Sequence, residues 1–344
     1  MKNWLYIIYI GLFGALVSSC QQSLDEEVQI PSASGKAQIS FTIALDDIES
    51  RATWEENEGS TSAVVGSEQE NAIDLTSEDG LKVFVYSTNG TLLGEVTNKE
   101  VRKIDTNEYK FNGQLLIENL TTSALQCRLM VYANCIESDD TFDFDAEYIP
   151  MWGVKETTLQ LAKGELTQLT EPIYLLRSMA KVEVKLDESI AEDFNMTSVL
   201  VDKYNTTGYV EPSYQSLVDT ENMDLEQVFN PNTSIATDSL PFMQVEGEDA
   251  FYVYLPEYDN ANPATLSVVI DGKSYSIEFK NYVDGKATGE NYNIVRNHIY
   301  QYTITSVTAE SHVEVANVRY QSMPWNDVNN GNLNFGNGSG DVMN

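Results

Sequence analysis

The stretch ISFTIALDDIESRATW, residues 39–54, changes character in its middle. Ile39, Phe41, Ile43 and Leu45 recur at every second position, with Ser40, Thr42 and Ala44 between them, which is the alternation of a strand with one buried face. An acidic turn follows, then a single arginine, Arg51, ahead of Ala52. From there to Asn71 the chain is polar, charged and aperiodic, so residues 46–72 read as an exposed, mobile loop.

Strand signals recur at short intervals on both sides of that loop. LKVFVYSTNGTLLGEV (81–96) places Asn89-Gly90 between two apolar runs, a hairpin turn that needs positive φ. YKFNGQLLIENL, LQCRLMVYAN and TTLQLAKGELTQLTEPIYLL continue the pattern to about Leu169. RSMAKVEVKL (177–186) opens a second series, with Val182, Val184 and Leu186 alternating with charged residues. FYVYLPEY, ATLSVVIDGKSYSIEFKNY and NYNIVRNHIYQYTITSV extend it, with Asp271-Gly272 as another hairpin turn. Helix-compatible stretches such as DESIAEDFN and DLEQVF are brief, so the chain reads as all-β, built of β-sandwiches rather than a parallel α/β sheet. At 344 residues it exceeds one ordinary core, and two units are expected, 38–169 and 170–325.

Near the C-terminus, HVEVANVRYQSMPW (312–325) puts Val313 and Val315 in one phase and Val318 and Tyr320 in the other. A one-residue slip exchanges the faces of a strand, so a bulge or bend is expected at Ala316-Asn317. Residues 326–344 are polar and glycine-rich and read as a flexible tail.

The first residues are of another kind. One lysine precedes an apolar run from Trp4 to Val17 and small residues ending at Cys20, too short a run for a bilayer span of about 20 residues. Residues 1–19 are a secretory signal peptide in this reading. LVSSC (16–20) resembles the lipobox of bacterial lipoproteins, which implies that Cys20 receives a diacylglycerol and becomes the first mature residue. Several acyl chains at about 0.8 kcal/mol per buried methylene make a firm anchor. Residues 20–37, with Pro31 and Gly35, then form a lipidated tether. Gln21 and the acidic SLDEE resemble sorting signals for the outer membrane and its outer face.

The formal charge of −33 and the lack of a basic stripe exclude nucleic acid as a partner and suit an exposed, colloidally stable protein. Catalytic constellations are missing: the two histidines are His298, placed in an alternating strand as a structural residue, and His312. GNGSG (336–340) has neither strand nor helix to frame a phosphate loop. Asp143, Asp145 and Glu147 alternate in an acidic loop without the glycine of an EF-hand, so a solvated loop is favoured over calcium. No enzyme activity, metal or cofactor is assigned. Cys127 and Cys135 lie eight residues apart in one strand, roughly 26 Å, which leaves two largely buried thiols outside any disulfide.

Cutting after Arg51 would detach the strand of Ile39, Phe41, Ile43 and Leu45, open an apolar groove and leave backbone groups unpaired, an acceptor for a strand offered in trans. LLRSMAKVEV resembles the strand that opens the second domain of the fimbrillin family, the subunits of type V pili and their Mfa-like relatives; YIPMWG, IVRNHIYQYTI and the closing MPW resemble further pieces in the same order. The resemblance implies two transthyretin-like β-sandwich domains and export as a lipoprotein to the outer membrane. It further implies cleavage of the Arg51-Ala52 bond by an arginine-specific protease and polymerisation with other fimbrial subunits by donor-strand exchange. Val313, Val315, Val318, Tyr320, Met323 and Trp325 are the donor side chains it implies. The alternative is a permanently anchored surface lipoprotein, a pilus anchor or an adhesin that holds a host protein or glycan through aromatic residues such as Trp54 and Trp152.

Overall fold

The computed structural model describes residues 35–45, 70, 72–77, 80–105, 107–117, 124–135, 141–160, 166–212, 229–283, 286–310 and 313–324. Among them the fold is all-β, without an α-helix. The first series of strands is β1 (Gly35–Ala44), β2 (Leu81–Ser87), β3 (Leu92–Asp105), β4 (Glu108–Ile117), β5 (Ala124–Ala133), β6 (Thr141–Asp143), β7 (Met151–Gln160), β8 (Leu166–Gln168), β9 (Ile173–Tyr174) and β10 (Leu176–Arg177). The second is β11 (Met179–Leu186), β12 (Met196–Val201), β13 (Thr207–Tyr209), β14 (Leu240–Pro241), β15 (Met243–Gln244), β16 (Ala250–Pro256), β17 (Thr265–Ile270), β18 (Lys273–Glu278), β19 (Asn281–Val283), β20 (Lys286–Thr288), β21 (His298–Glu310) and β22 (Val313–Pro324).

The first sheet runs β10-β7-β5-β2-β3-β4-β1-β8, with β9 also on β1. β3 joins its two layers: Leu92, Gly94 and Glu95 pair with β2, and from Val96 onward the strand pairs with β4. Val83, Val85, Leu129 and Val131 from one layer meet Ile39, Phe41, Phe111 and Leu115 from the other in a single apolar core. The alternate positions of the first layer, Phe84, Tyr132, Trp152 and Val154, pack with Met179, Val210 and Ile299 of the second series and form a seam between the halves.

The second core lies between the sheets β15-β16-β11-β21-β22 and β14-β12-β17-β18. Val182, Val184, Phe251, Val253, Tyr302 and Ile304 face Val199, Leu266, Val268 and Ile277 across it. The β17–β18 hairpin turns on Asp271 and Gly272 alone, both left-handed at φ +48° and +75°, as an Asp-Gly pair favours. The chain leaves the first core at Leu175 and enters the second at Ala180.

Three expectations need correction. The loop expected to be exposed and mobile over residues 46–72 ends in a buried residue: Glu70 is 2% exposed, and its carboxylate accepts from Lys181 Nζ at 3.1 Å. NYNIVRNHIYQYTITSV is strand only from His298, because Asn297 sits at φ +56°. The phase slip expected at Ala316-Asn317 lies in the partner strand. β22 is unbroken, and the register moves from Ile304↔Val318 to Ser306↔Asn317, so the extra residue is Thr305 of β21.

Candidate strand-exchange site

β1 is held on both edges. Ten antiparallel positions pair it with β4, from Gly35↔Ile117 to Ala44↔Glu108, and Leu45 N donates to Asn107 O at 2.6 Å. On its other side it runs parallel to β8 and β9. Leu169 N donates to Ser40 O at 2.9 Å and Leu175 N to Ala44 O at 3.1 Å. β8 and β9 take no strand partner other than β1 among the described residues, so the slot has one firm wall, β4, and one that depends on its occupant. Any strand that restored this pattern would run antiparallel to β4 and parallel to β8.

The inward side chains fill the slot. Ile39, Phe41 and Ile43 have no exposed surface and Leu45 only 3%. Ile39 stands opposite Gly113, where a Cβ would come within 2.3 Å of Val96 Cγ1, so this position accepts only glycine without a shift. Phe41 stacks on Phe111 with centroids 4.7 Å apart, and Ile43 pairs with Tyr109. Burying these four side chains contributes about 6–12 kcal/mol at roughly 1.5–3 kcal/mol each. A whole domain is stable by about 5–15 kcal/mol, so loss of β1 would remove most of what holds this half together.

Among the described residues β22 is an outer strand of its sheet, hydrogen-bonded to β21 alone. Val318 and Tyr320 stand in register with Ile304 and Tyr302, whereas Val313, Val315 and Met323 occupy the alternate positions, opposite Glu310, Thr308 and Ile299. In this unbroken strand the donor candidates are therefore divided between two phases. β1 and β22 belong to different sheets and are not paired. Cys20, Arg51, Ala52, Trp54, His312, Trp325, the Trp4–Val17 run, DLEQV of residues 224–228 and the segment 326–344 lie outside the described residues.

The polar residues of the motif strands meet at the seam. Lys181, one of the charged residues that alternate with valine in β11, is fully buried and bonds Glu183 and Glu70, both at 3.1 Å. Gln301 Nε2 donates to Glu183 at 2.9 Å, and Tyr254 Oη donates to Glu70 at 2.8 Å. Burial opposes the Lys181 charge, but the two carboxylates outweigh it and hold its pKa above the ordinary lysine value. Nearby, Arg296 donates to Glu257 at 2.9 Å and to the carbonyls of Tyr209, Val210 and Glu211; Arg177 N donates to Asn297 Oδ1 at 3.0 Å. The signal for this layer is in the sequence as polar residues repeating in phase along β11 and β21. Nothing there joins Glu70 to Lys181, 111 positions away.

Other candidates have structural settings. His298 is 8% exposed, with Nδ1 2.8 Å from Arg296 O. Trp152 is 1% exposed inside the seam and is not available to stack on a sugar. Asp143, Asp145 and Glu147 are exposed, and among the described residues no three acidic, histidine or cysteine side chains gather as a metal site. Cys127 is buried, which pushes its thiol up to about 12, and Cys135 is half-buried; neither is in a disulfide.

No family model matches the sequence, and no curated protein is significantly similar to it. Solved structures with a similar arrangement include a fimbrial assembly protein from Parabacteroides distasonis, 14% identical, aligned over 84% of this chain and 96% of its own at a TM-score of 0.47. A cell adhesion candidate from Bacteroides uniformis is 10% identical over 84% of this chain and 98% of its own, at 0.44. One from Bacteroides eggerthii is 14% identical over 86% and 97%, at 0.41.

Proposed function

We propose that the chain is a structural and adhesive subunit of a bacterial surface fimbrium, exported as a lipoprotein acylated at Cys20, cut after Arg51 and joined to its neighbours by donor-strand exchange. The carrying observation is β1: a strand whose inward face is fully buried and whose connection to β2 contains one basic residue, Arg51, between Lys36 and Lys82. One tryptic-type cut there severs the strand's covalent link to everything it packs against. The vacancy would offer a row of apolar pockets and unpaired backbone groups, which is what a strand from another copy recognises. The C-terminal strand, an outer strand with three valines and one tyrosine, supplies the donor in this reading. The partners are then other fimbrial subunits, an arginine-specific protease, the outer membrane through the lipid, and a host protein or glycan as the adhesive target.

The test is incubation of the full chain with an arginine-specific protease, followed by mass spectrometry and sizing. Loss of residues up to Arg51 with growth of oligomers is expected. An intact bond, or cut protein that stays monomeric, counts against the proposal. A second reading, a subunit that keeps its lipid and first strand as an anchor, draws on β1 being bonded along both edges. It predicts that the native surface protein retains residues 35–45.

A further inference from the structure

Glu70 belongs to the connection between β1 and β2, yet its contacts are to the second half of the molecule. The side chain is 2% exposed. Its carboxylate accepts from Lys181 Nζ at 3.1 and 3.3 Å and from Tyr254 Oη at 2.8 Å, and its carbonyl accepts from Arg177 Nε at 3.2 Å. The residues just beyond it are tied to the first half. Asn134 Nδ2 donates to Ala72 O at 2.8 Å, and Asp74 N donates to Asn134 Oδ1 at 2.8 Å. Ile73 N donates to Tyr109 Oη at 3.4 Å, and the Ile73 side chain lies in the first core, 5% exposed. Asn134 holds this position at φ +59°, a left-handed conformation that asparagine tolerates better than most residues.

None of these partners lies in β1, and Arg51 is 19 positions upstream of Glu70. A carboxylate this deeply buried is retained only where it is paired and hydrogen-bonded, and Lys181 with Tyr254 meets that need. We propose that Glu70 is the fixed end of a strap, continued by residues 72–74, that stays clamped across the seam when the chain is severed at Arg51. The cut then frees β1 alone, and the two halves remain joined by a segment that no longer has a covalent link to the departing strand. This rests on the cut proposed above, but the strap itself exists in the uncut chain and is testable there.

The experiment is hydrogen–deuterium exchange at the amides of Ile73 and Asp74 in the full chain, before and after an arginine-specific protease, for wild type, Glu70→Gln and Glu70→Ala. In wild type these amides keep their protection within about twofold once the cut protein has assembled and the slot is filled again, and in Glu70→Ala they exchange faster by about tenfold or more in assembled and uncut protein alike. Glu70→Gln, which keeps the shape and loses the charge, falls between and guards against a variant that does not fold. Wild-type protection lost in the cut, assembled protein, or Glu70→Ala indistinguishable from wild type, overturns the strap. If the protease leaves Arg51-Ala52 intact, the proposed function fails, and the uncut Glu70→Ala comparison decides the strap.

Discussion

Phe41→Ala separates a strand that is discarded from one that stays. The ring has no exposed surface and stacks on Phe111 at 4.7 Å, so its removal leaves a cavity that the β4 side of the core cannot fill. Such truncations cost about 3–5 kcal/mol. At roughly 2–4 °C per kcal/mol for units of this size, the melting temperature of the uncut protein falls by about 6–20 °C. Calorimetry of the uncut variant measures that loss. The same variant, cut at Arg51 and assembled, no longer contains residue 41, so its assembled form melts within about 2 °C of wild type, well inside the shift expected for the precursor. Phe111→Ala is the matched control: that ring belongs to β4 and remains, so both forms lose stability. Assembled Phe41→Ala with the same deficit as its precursor, or a precursor with no deficit, would show that β1 is not the strand that departs.

Gly113→Ala drives a methyl to 2.3 Å from Val96 Cγ1 and 3.0 Å from the Phe111 ring, so thermal melting of uncut and assembled protein alike shows a loss of about 1–3 kcal/mol. Cys127, with its thiol pushed up to about 12 by burial, resists iodoacetamide in the native protein at pH 8 while Cys135 is alkylated first, as read by peptide mass spectrometry. Lys181 has a folded pKa above its ordinary value, so its contribution is complete below about pH 10.4 and is lost as pH rises through the folded pKa. The melting temperature of wild type therefore drops more steeply above that pH than that of Lys181→Met/Glu70→Gln; parallel curves would contradict the pairing.

The slot was legible in the sequence because its signal is local: the period of two from Ile39 to Leu45 describes a buried face whatever covers it. The two hairpin turns were legible for the same reason, since left-handed backbone needs Gly, Asn or Asp at fixed places. What the slot is made of was not. Gly113, Val96 and Phe111 reach it through pairing of distant strands, and periodicity within one strand does not reveal its neighbours. The setting of the β11 charges was hidden for a related reason. Alternation with valine usually means a solvent face, but here a second layer covers it and the charges satisfy one another. The displaced bulge shows the same limit: an irregular phase in Val313–Tyr320 reports that two strands differ in length by one residue, and only the register tells which strand holds it.

In the proposed assembly β1 leaves its slot and another molecule's end replaces it. An electron cryomicroscopy structure of protease-treated, assembled protein tests this directly. The strand between β4 and β8 is then expected to be drawn from residues 313–325 of the neighbouring subunit, running antiparallel to β4. Residues 35–45 of the same chain still lying between β4 and β8 in the assembled material would contradict it.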